Sequence, residues 1–396
     1  MKTLGINISH DSALCIMEDG VITKYLEEGR IARNKYFVPP TGYLIESQPW
    51  QSIEQIKDQE FDYVGMVSFD RRDTNFYYGD LTDEEWGDAE KRDQEQHKQA
   101  LENRWEYEGC RDALLDDLIS WDYLKEVEQD YPLLYLDCHY DSQNNRSYGD
   151  DDINHGLKEQ LGIEHFHFEQ NQHHKFHAYG GYHMSPFEKK GEEAMVLVQD
   201  GGGSYPLLEE FPIYQEIESI WSISPTEGVQ RKWTHLSGMR YEFGKADFKC
   251  LNFNVYRKTR EGVDYELSMK PSMGFLFSNV CSAVGIEERG RAAGTVMGLA
   301  TYGHQSVELL NKESIAQQLQ IKSFEYTCKL IEKCLEYGTT NNIILSGGYA
   351  LNCTNNMQYV LKYPEINFFV DPCSYDAGTS IGMASYLNND NYREFD

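Results

Sequence analysis

The chain lacks several features that would assign it to a class at once. It has no apolar run close to the roughly 20 residues of a membrane-spanning helix, and Met1-Lys2-Thr3 leads into a strand-like segment rather than a secretory signal. Its nine cysteines are odd in number, dispersed and without any CxxC pair. The sequence therefore does not support a disulfide scaffold or a zinc ribbon, and we expect reduced thiols in a cytoplasmic protein.

Positive charge is also scarce. Lys and Arg number 36 against 65 Asp and Glu, which gives a formal net charge of -29 and no global electrostatic footprint for nucleic acid. The basic stretch between Arg240 and Arg260 is nevertheless compatible with a local basic groove for nucleic acid. With 40% apolar and 13% aromatic residues, a chain of 396 residues is expected to be globular and long enough for two lobes.

Four of the twelve histidines lie between Asn171 and Phe187, in the segment NQHHKFHAYGGYHMSPF. If this segment is helical, His173 and His177 project from one face, one turn apart, as two imidazoles must to share a metal ion. His174 then points elsewhere. A zinc protease would need a glutamate where His174 stands, so that class is disfavoured. A surface or helix-end role for the HxxxH spacing is the alternative.

An apolar strand-like run from Ala194 to Val198 is followed by Asp200 and three glycines. A carboxylate at a strand end, beside open amides such as those of Gly201 and Gly202, is suited to holding a cation or a phosphate. A tight turn that only needs positive φ is the alternative, and it would leave the aspartate unexplained.

The chain opens with three strand-like runs, and Asp19-Gly20 between the second and third predicts a hairpin. The loop after the first run carries His10 and Asp11. This layout is how the two-lobed α/β fold of actin, hexokinase and Hsp70 begins. The charged segment from Glu27 to Arg30 follows the third strand, and a solvated turn is its usual explanation.

Two later segments are candidates for substrate contacts. The run from Ile343 to Asn356 predicts a strand that turns through Gly347-Gly348 into a helix, whose N-terminus is suited to a phosphate or ribose. Asp376 stands just before the last predicted helix, where an N-cap role is the alternative. Arg291 lies in a glycine- and alanine-rich segment, where it could meet an anion.

The predicted architecture has a first lobe at residues 1–188 and a second at 189–396. An acidic, mainly helical insertion covers about 71–162 of the first lobe. This insertion is expected to be a solvated helical face, with a partner surface or an acceptor lid as alternatives. We find no internal sequence repeat.

Together these segments resemble the O-carbamoyltransferases of the nodulation-factor, cephamycin and tobramycin type. The resemblance spans almost the whole chain except the acidic insertion, and its motifs occur in the family's order: GINISHDSA, EEGR with a following lysine, HHKFHAYGGYHMSPF, VQDGGG, GTVMGLATYG, LSGGYALNCTNN and DPCSYDAGTSIG. The more distant tRNA threonylcarbamoyltransferase shares the fold.

The resemblance implies a nucleotide-binding fold with a divalent metal in the cleft. The ligands would be His173, His177, Asp200 and Asp376, and the metal Fe(II), with Mn(II) or Zn(II) as alternatives. In the family, carbamoyl phosphate and ATP form carbamoyladenylate, and the carbamoyl group passes to an acceptor hydroxyl.

The same resemblance assigns further roles. A base would deprotonate the attacking hydroxyl. The corresponding residues here are His10 or Asp11 as the base, Arg30 and Lys35 near the anion, and Gly347, Gly348 and Asn352 on the adenosine side.

Three departures from the family pattern stand out. Family members usually continue into a YrdC-like domain that makes carbamoyladenylate, so we expect a separate activating protein or a different use of the donor. Thr295 replaces a family lysine, whose charge Arg291 or Arg289 would supply. The charged motif reads Glu27-Glu28-Gly29-Arg30, with its arginine displaced by one position.

The favoured prediction is a cytoplasmic enzyme, in a bacterial cell or a virus-infected host, that moves a carbamoyl group to a hydroxyl. The acceptor is a sugar or natural-product hydroxyl, or a hydroxymethylated pyrimidine such as 5-hydroxymethylcytosine in modified DNA. A tRNA threonylcarbamoyl-transfer component, a nucleotide-dependent kinase of the same fold and a non-catalytic binding protein are the alternatives.

Overall fold

A computed structural model describes residues 1–9, 11–34, 50–68, 160–163, 167–168, 172–204, 215–237, 256–268, 272–283, 286, 293–303 and 312–389. Its strands are β1 (Lys2–Ile8), β2 (Ala13–Glu18), β3 (Val21–Glu27), β4 (Tyr63–Ser68), β5 (His167–Phe168), β6 (Ala194–Gln199), β7 (Gln215–Ser224), β8 (Gly228–Ser237), β9 (Tyr256–Arg260), β10 (Val263–Ser268), β11 (Asn342–Ser346) and β12 (Asn367–Val370).

The α-helices are α1 (Glu28–Ile31), α2 (Gln51–Glu54), α3 (His173–Met184), α4 (Pro186–Lys190), α5 (Met273–Ala283), α6 (Ala293–Leu299), α7 (Lys312–Tyr337), α8 (Cys353–Lys362) and α9 (Thr379–Asn388). Short 3-10 turns cover Ala300–Tyr302, Gly348–Leu351 and Asp376–Gly378. Most of the predicted acidic insertion and most of the basic stretch fall outside the described residues.

The described strands form two sheets that share one core topology. The first has the order β3-β2-β1-β4-β5, with β1, β2 and β3 antiparallel and β4 parallel to β1. The second contains the order β8-β7-β6-β11-β12, again with three antiparallel strands followed by two parallel ones, and β10 and β9 extend it beyond β8. This repeated order is that of the two-lobed actin, hexokinase and Hsp70 fold, as predicted.

The first hairpin follows from its turn residues. Asp19 and Gly20 have φ angles of 49° and 79°, the left-handed conformations that a two-residue hairpin turn requires at both positions. The predicted hairpin is therefore confirmed. At the far end of β3, the buried carboxylate of Glu28 accepts hydrogen bonds from the amides of Gln51 and Ser52, so it caps α2.

Two helices lie between the sheets. Helix α3 packs on the second sheet, where Ala178 and Tyr182 join Val196 and Val198 in one apolar cluster. Helix α9 packs on the first sheet through Ile381 and Ala384, which contact Cys15 and Met17 of β2. The helix from the C-terminal part of the chain therefore completes the core of the N-terminal sheet, while the division at residue 188 stays a prediction.

Glycines allow α9 to approach both of its neighbours closely. A Cβ added at Gly382 would lie 1.9 Å from the carbonyl oxygen of Phe176 in α3, and one added at Gly5 of β1 would lie 2.0 Å from the carbonyl oxygen of Ser380. Backbone atoms cannot move aside without shifting a whole element. These glycines therefore set the distances from α9 to α3 and from α9 to the first sheet.

The outer face of the second sheet is covered by the long helix α7. Its Cys328, Ile331 and Cys334 pack against Met195 and other apolar side chains of that sheet. No helix among the described residues is long and apolar enough to cross a bilayer.

We expect Gly382→Ala to destabilise the protein by about 1–3 kcal/mol, because the new methyl group would overlap a backbone oxygen of α3. Thermal unfolding measures this loss. Gly294→Ala in α6 is the matched control, since a Cβ there meets nothing within 4 Å, and its expected effect is neutral or a gain of about 0.5–1 kcal/mol. Equal melting temperatures for both variants would contradict this account of the packing.

Candidate metal and nucleotide site

Four buried side chains from three parts of the chain meet between the two sheets. His173 and His177 come from the first turns of α3, Asp200 follows β6, and Asp376 opens the 3-10 turn before α9. One potential ligand atom from each lies within 4.8 Å of all the others. The structure thus brings together the four residues predicted as metal ligands.

The distances inside this cluster are short. The two histidine Nε2 atoms lie 3.1 Å apart, as expected for imidazoles one helical turn apart on one face. His173 Nε2 is 3.1 Å from Asp200 Oδ2 and 3.5 Å from Asp376 Oδ1. His177 Nε2 is 3.6 Å and 3.9 Å from the same two oxygens. All four groups therefore point at one small volume.

The charges in the cluster hold a proton. Burial alone would lower the pKa of His173, but hydrogen bonds to Asp200 and Asp376 outweigh it and raise the pKa to about 10. Burial alone would raise the pKa of Asp200, yet the hydrogen bonds from His173 and His177 hold it well below its usual range. The buried carboxylate of Asp200 thus retains its charge because a cation lies beside it.

These residues fit a divalent transition metal. Two imidazole nitrogens and two carboxylate oxygens form a donor set suited to Fe(II), Mn(II) or Zn(II). The Nδ1 atom of His177 has no hydrogen-bond partner among the described residues, so its Nε2 atom is the one aimed at the shared volume. A cation held there would replace the proton on His173.

Asp200 connects the cluster to two glycine turns. Its Oδ2 atom faces the histidines, while Oδ1 accepts a hydrogen bond from the amide of Gly201 at 2.7 Å and a longer one from Gly348 at 3.4 Å. Gly347 has a φ of 85° and lies so close to β6 that an added Cβ would be 2.3 Å from the Gln199 carbonyl oxygen. Both predicted glycine turns therefore border the metal-type cluster.

Two of the three glycines after Asp200, Gly202 and Gly203, leave space for neighbouring side chains, whereas a Cβ at Gly201 would meet nothing within 4 Å. Gly201, Gly202 and Gly203 are not among the described glycines with positive φ, so the alternative of a turn that needs that conformation is wrong here. A Cβ at Gly203 would lie 2.6 Å from the ring of His174, and one at Gly202 would overlap the side chain of Gln215.

His174 performs a different task from its two neighbours, as its helical position predicted. Its Nδ1 atom lies 2.9 Å from Ser219 Oγ and 3.5 Å from Glu216 Oε2 on β7. Burial lowers its pKa to about 4, so the ring is neutral. His174 therefore links α3 to the second sheet. No signal in the sequence indicated that Ser219 and Glu216 would be its partners.

Asn352 and Arg30 have protein partners in the structure. The buried Asn352 amide pairs with Gln320, and its oxygen caps α8 by accepting from the amide of Asn355. The exposed Arg30 forms an ion pair with Glu27, which also accepts from Tyr375, the neighbour of Asp376. The nucleotide and anion contacts assigned to these residues stay predictions.

Of the remaining predicted residues, only Asp11 lies within the described part of the chain. Asp11 stands in the turn between β1 and β2, where its amide donates to Ser9 Oγ. His10, Lys35, Arg289 and Arg291 fall outside the described residues.

The site and the repeated sheets define a two-lobed α/β protein with a metal-type cluster where its lobes meet. The chain belongs to the carbamoyltransferase family: residues 2–339 match the family described as carbamoyltransferase N-terminus. It is also 24% identical over 234 residues to the uncharacterized protein sll1178 of Synechocystis. This match covers 56% of the chain and 37% of sll1178, so the chain spans well under half the length of that relative.

Solved structures with similar folds are distant in sequence. A ROK family glucokinase from Streptomyces griseus, in complex with glucose and AMPPNP, is 10% identical with a TM-score of 0.42, covering 98% of this chain and 99% of the glucokinase. HypF from T. kodakarensis is 16% identical with a TM-score of 0.41, covering 63% of this chain and 40% of HypF. The strand order, rather than these distant similarities, defines the fold.

We expect metal binding to release about one proton per ion near neutral pH, because His173 holds a proton that the metal must displace. Since this group is protonated below its raised pKa, the apparent affinity should increase as the pH rises toward that value. Calorimetric titration with Mn(II) in buffers of different ionisation enthalpy measures the released proton. Binding with no proton release would show that the histidine is neutral before the metal arrives.

Proposed function

We propose that the chain transfers a carbamoyl group from carbamoyl phosphate, activated with ATP as carbamoyladenylate, to an acceptor hydroxyl. Its membership of the carbamoyltransferase family supports this reaction class. The observation that carries the proposal is the convergence of His173, His177, Asp200 and Asp376 beside two glycine turns. A plain structural core would have no need for two buried carboxylates at that position.

The four side chains are proposed to hold Fe(II), with Mn(II) or Zn(II) as alternatives. When bound, such an ion would contact phosphate oxygens of the donor and polarise its carbonyl group as a Lewis acid. The chain's own groups would then position the donor. The Gly201 and Gly202 turn would receive its phosphate, and the Gly347 and Gly348 turn the adenosine.

The transfer itself exchanges one bond to the carbamoyl carbon for another. The acceptor oxygen bonds to that carbon, the bond from the carbon to the adenylate phosphate oxygen breaks, and AMP leaves. A base must take the hydroxyl proton of the acceptor. Asp11 or His10 is the proposed base, since both belong to the loop after β1, the first strand of the sheet on which α9 packs.

The acceptor is proposed to be a hydroxyl of a sugar or natural product, or 5-hydroxymethylcytosine in DNA. The net charge of -29 opposes binding to a polyanion, while the basic stretch between Arg240 and Arg260 favours it. Transfer to DNA should fall steeply as salt rises, whereas transfer to an uncharged sugar should change little. A base within a duplex would have to be flipped out or supplied single-stranded.

The test is mass spectrometry of parallel reactions that contain the chain, carbamoyl phosphate, ATP and Fe(II) with either acceptor. We expect a gain of about 43 Da on one acceptor, which corresponds to one carbamoyl group replacing a hydrogen. If neither acceptor gains mass, the reaction is repeated with carbamoyladenylate in place of carbamoyl phosphate and ATP. A gain in mass would then show that only the activating protein was missing. No gain in that reaction would contradict the proposed transfer to these acceptors.

The double substitution His173→Ala with His177→Ala should lower transfer by at least about 100-fold, because both imidazole ligands are removed. His183→Ala is the matched control on the same helix, since His183 pairs with Glu188 away from the cluster. Full transfer activity in the double variant would rule out a metal site at these histidines.

A further inference from the structure

A fifth ionisable side chain, Asp371, lies behind the cluster. It follows β12 directly, is 2% exposed and donates its backbone amide to the carbonyl of Leu345 in β11. Its carboxylate is held at both oxygens. The amide of Cys373 donates to Oδ1 at 2.9 Å, and the hydroxyl of Ser346 donates to Oδ2 at 2.8 Å. Both hydrogen bonds fix the orientation of the buried carboxylate.

The carboxylate of Asp371 lies beside α3 at the position of Gly181. A Cβ added at Gly181 would stand 3.6 Å from Asp371 Oδ2 and 3.6 Å from the Cβ atom of Ser346. Side chains on a helix point toward its N-terminus, so a side chain at 181 would point toward the turn that carries His177. Asp371 and Ser346 therefore lie beside α3 one helical turn after His177.

Ser346 contacts the same turn of α3. Besides donating to Asp371, its hydroxyl lies 3.3 Å from the backbone carbonyl oxygen of His177. One hydroxyl thus links the end of β11, the end of β12 and the backbone of a predicted ligand. The stretch from Asp371 also leads within five residues to Asp376, another member of the cluster.

Asp371 also lies close enough to His177 for the two side chains to interact electrostatically. Burial raises the pKa of Asp371, and the opposing influences are the Cys373 amide, the Ser346 hydroxyl and the nearby His177. The Nδ1 atom of His177 has no partner among the described residues, and it is the atom on the opposite edge of the ring from the cluster. No hydrogen bond therefore joins the carboxylate to the ring, and its influence on the cluster is that of a nearby buried negative charge, which favours a bound cation.

We propose that Asp371, through Ser346, is a positioning residue for the turn of α3 that carries His177, and that its buried negative charge increases the affinity of the four-residue cluster for a divalent cation. This inference rests on the proposed metal site. It adds a residue that contacts neither metal nor substrate and that carries one further negative charge toward the bound ion.

The test measures Mn(II) affinity in the full chain, using the electron paramagnetic resonance signal of the unbound ion. Asp371→Asn keeps the shape of the side chain and one of its two acceptor oxygens, and it removes the charge. We expect the dissociation constant for Mn(II) to rise by about 10- to 100-fold. The spectrum of bound Co(II) should also shift, since the field at the His177 ring changes.

Glu218→Gln is the matched control. Glu218 is also a buried carboxylate, 1% exposed, but its partners are His235 of β8 and Tyr326 of α7, on the outer face of the second sheet. Its Mn(II) affinity should equal that of the unchanged protein. A similar loss in both variants would show that any buried charge matters, and would overturn the role given to Asp371.

Two further outcomes separate this inference from the proposed function. If the unchanged protein binds Mn(II) and Asp371→Asn binds it equally well, the metal site stands and the positioning role is wrong. If the unchanged protein binds no Mn(II), Fe(II) or Zn(II), the metal site itself is wrong.

Ser346→Ala keeps the proposal testable should Asp371→Asn fail to fold. Loss of the hydroxyl releases one carboxylate oxygen without removing the charge, so we expect a severalfold weaker affinity and a smaller change in the Co(II) spectrum. Unchanged affinity and an unchanged spectrum in a folded Ser346→Ala variant would contradict the link to His177.

Discussion

The candidate site depends on the contact between α3 and α9 at glycine positions. One helix carries both histidines and the other is preceded by Asp376, so the distance between the helices decides whether the ligands can meet. That distance is set where Gly382 lies against the backbone of Phe176. Since each helix also packs on its own sheet, the same contact fixes how the lobes adjoin. The close contact between α3 and α9 therefore determines both the geometry of the cluster and the packing of the two sheets.

The two sheets repeat a strand order that the sequence does not repeat. Strand order depends on which segments are apolar and how they connect, whereas residue identities at equivalent positions are free to diverge once packing volumes are met. The first strands of both sheets, β1 and β6, are each followed by a loop with predicted substrate residues, around Asp11 in one and Asp200 in the other. The same strand order thus carries two dissimilar loops, one after each first strand.

The sequence predicted the parts of this protein that rest on local rules. The helical spacing of His173 and His177, the hairpin at Asp19-Gly20 and the strand before Asp200 all follow from periodicity or turn chemistry. Family motifs added Asp376, which spacing alone could not connect to the histidines. The tasks of His174, Glu28 and Asp371 could not be predicted, because each depends on partners far away in sequence. The space that Gly203 leaves for the ring of His174 likewise could not be predicted, because it depends on how α3 packs beside β7.

The position of α9 also bears on how the protein acquires its structure. The hydroxyl of Thr3 in β1 donates to the carbonyl oxygen of Ala384 in α9, across 381 residues. As the ribosome synthesises the chain, the first sheet emerges long before the helix that covers one of its faces, and that face must wait exposed or associate with something else. Such remote contacts slow folding and increase the exposure of nascent chains to aggregation.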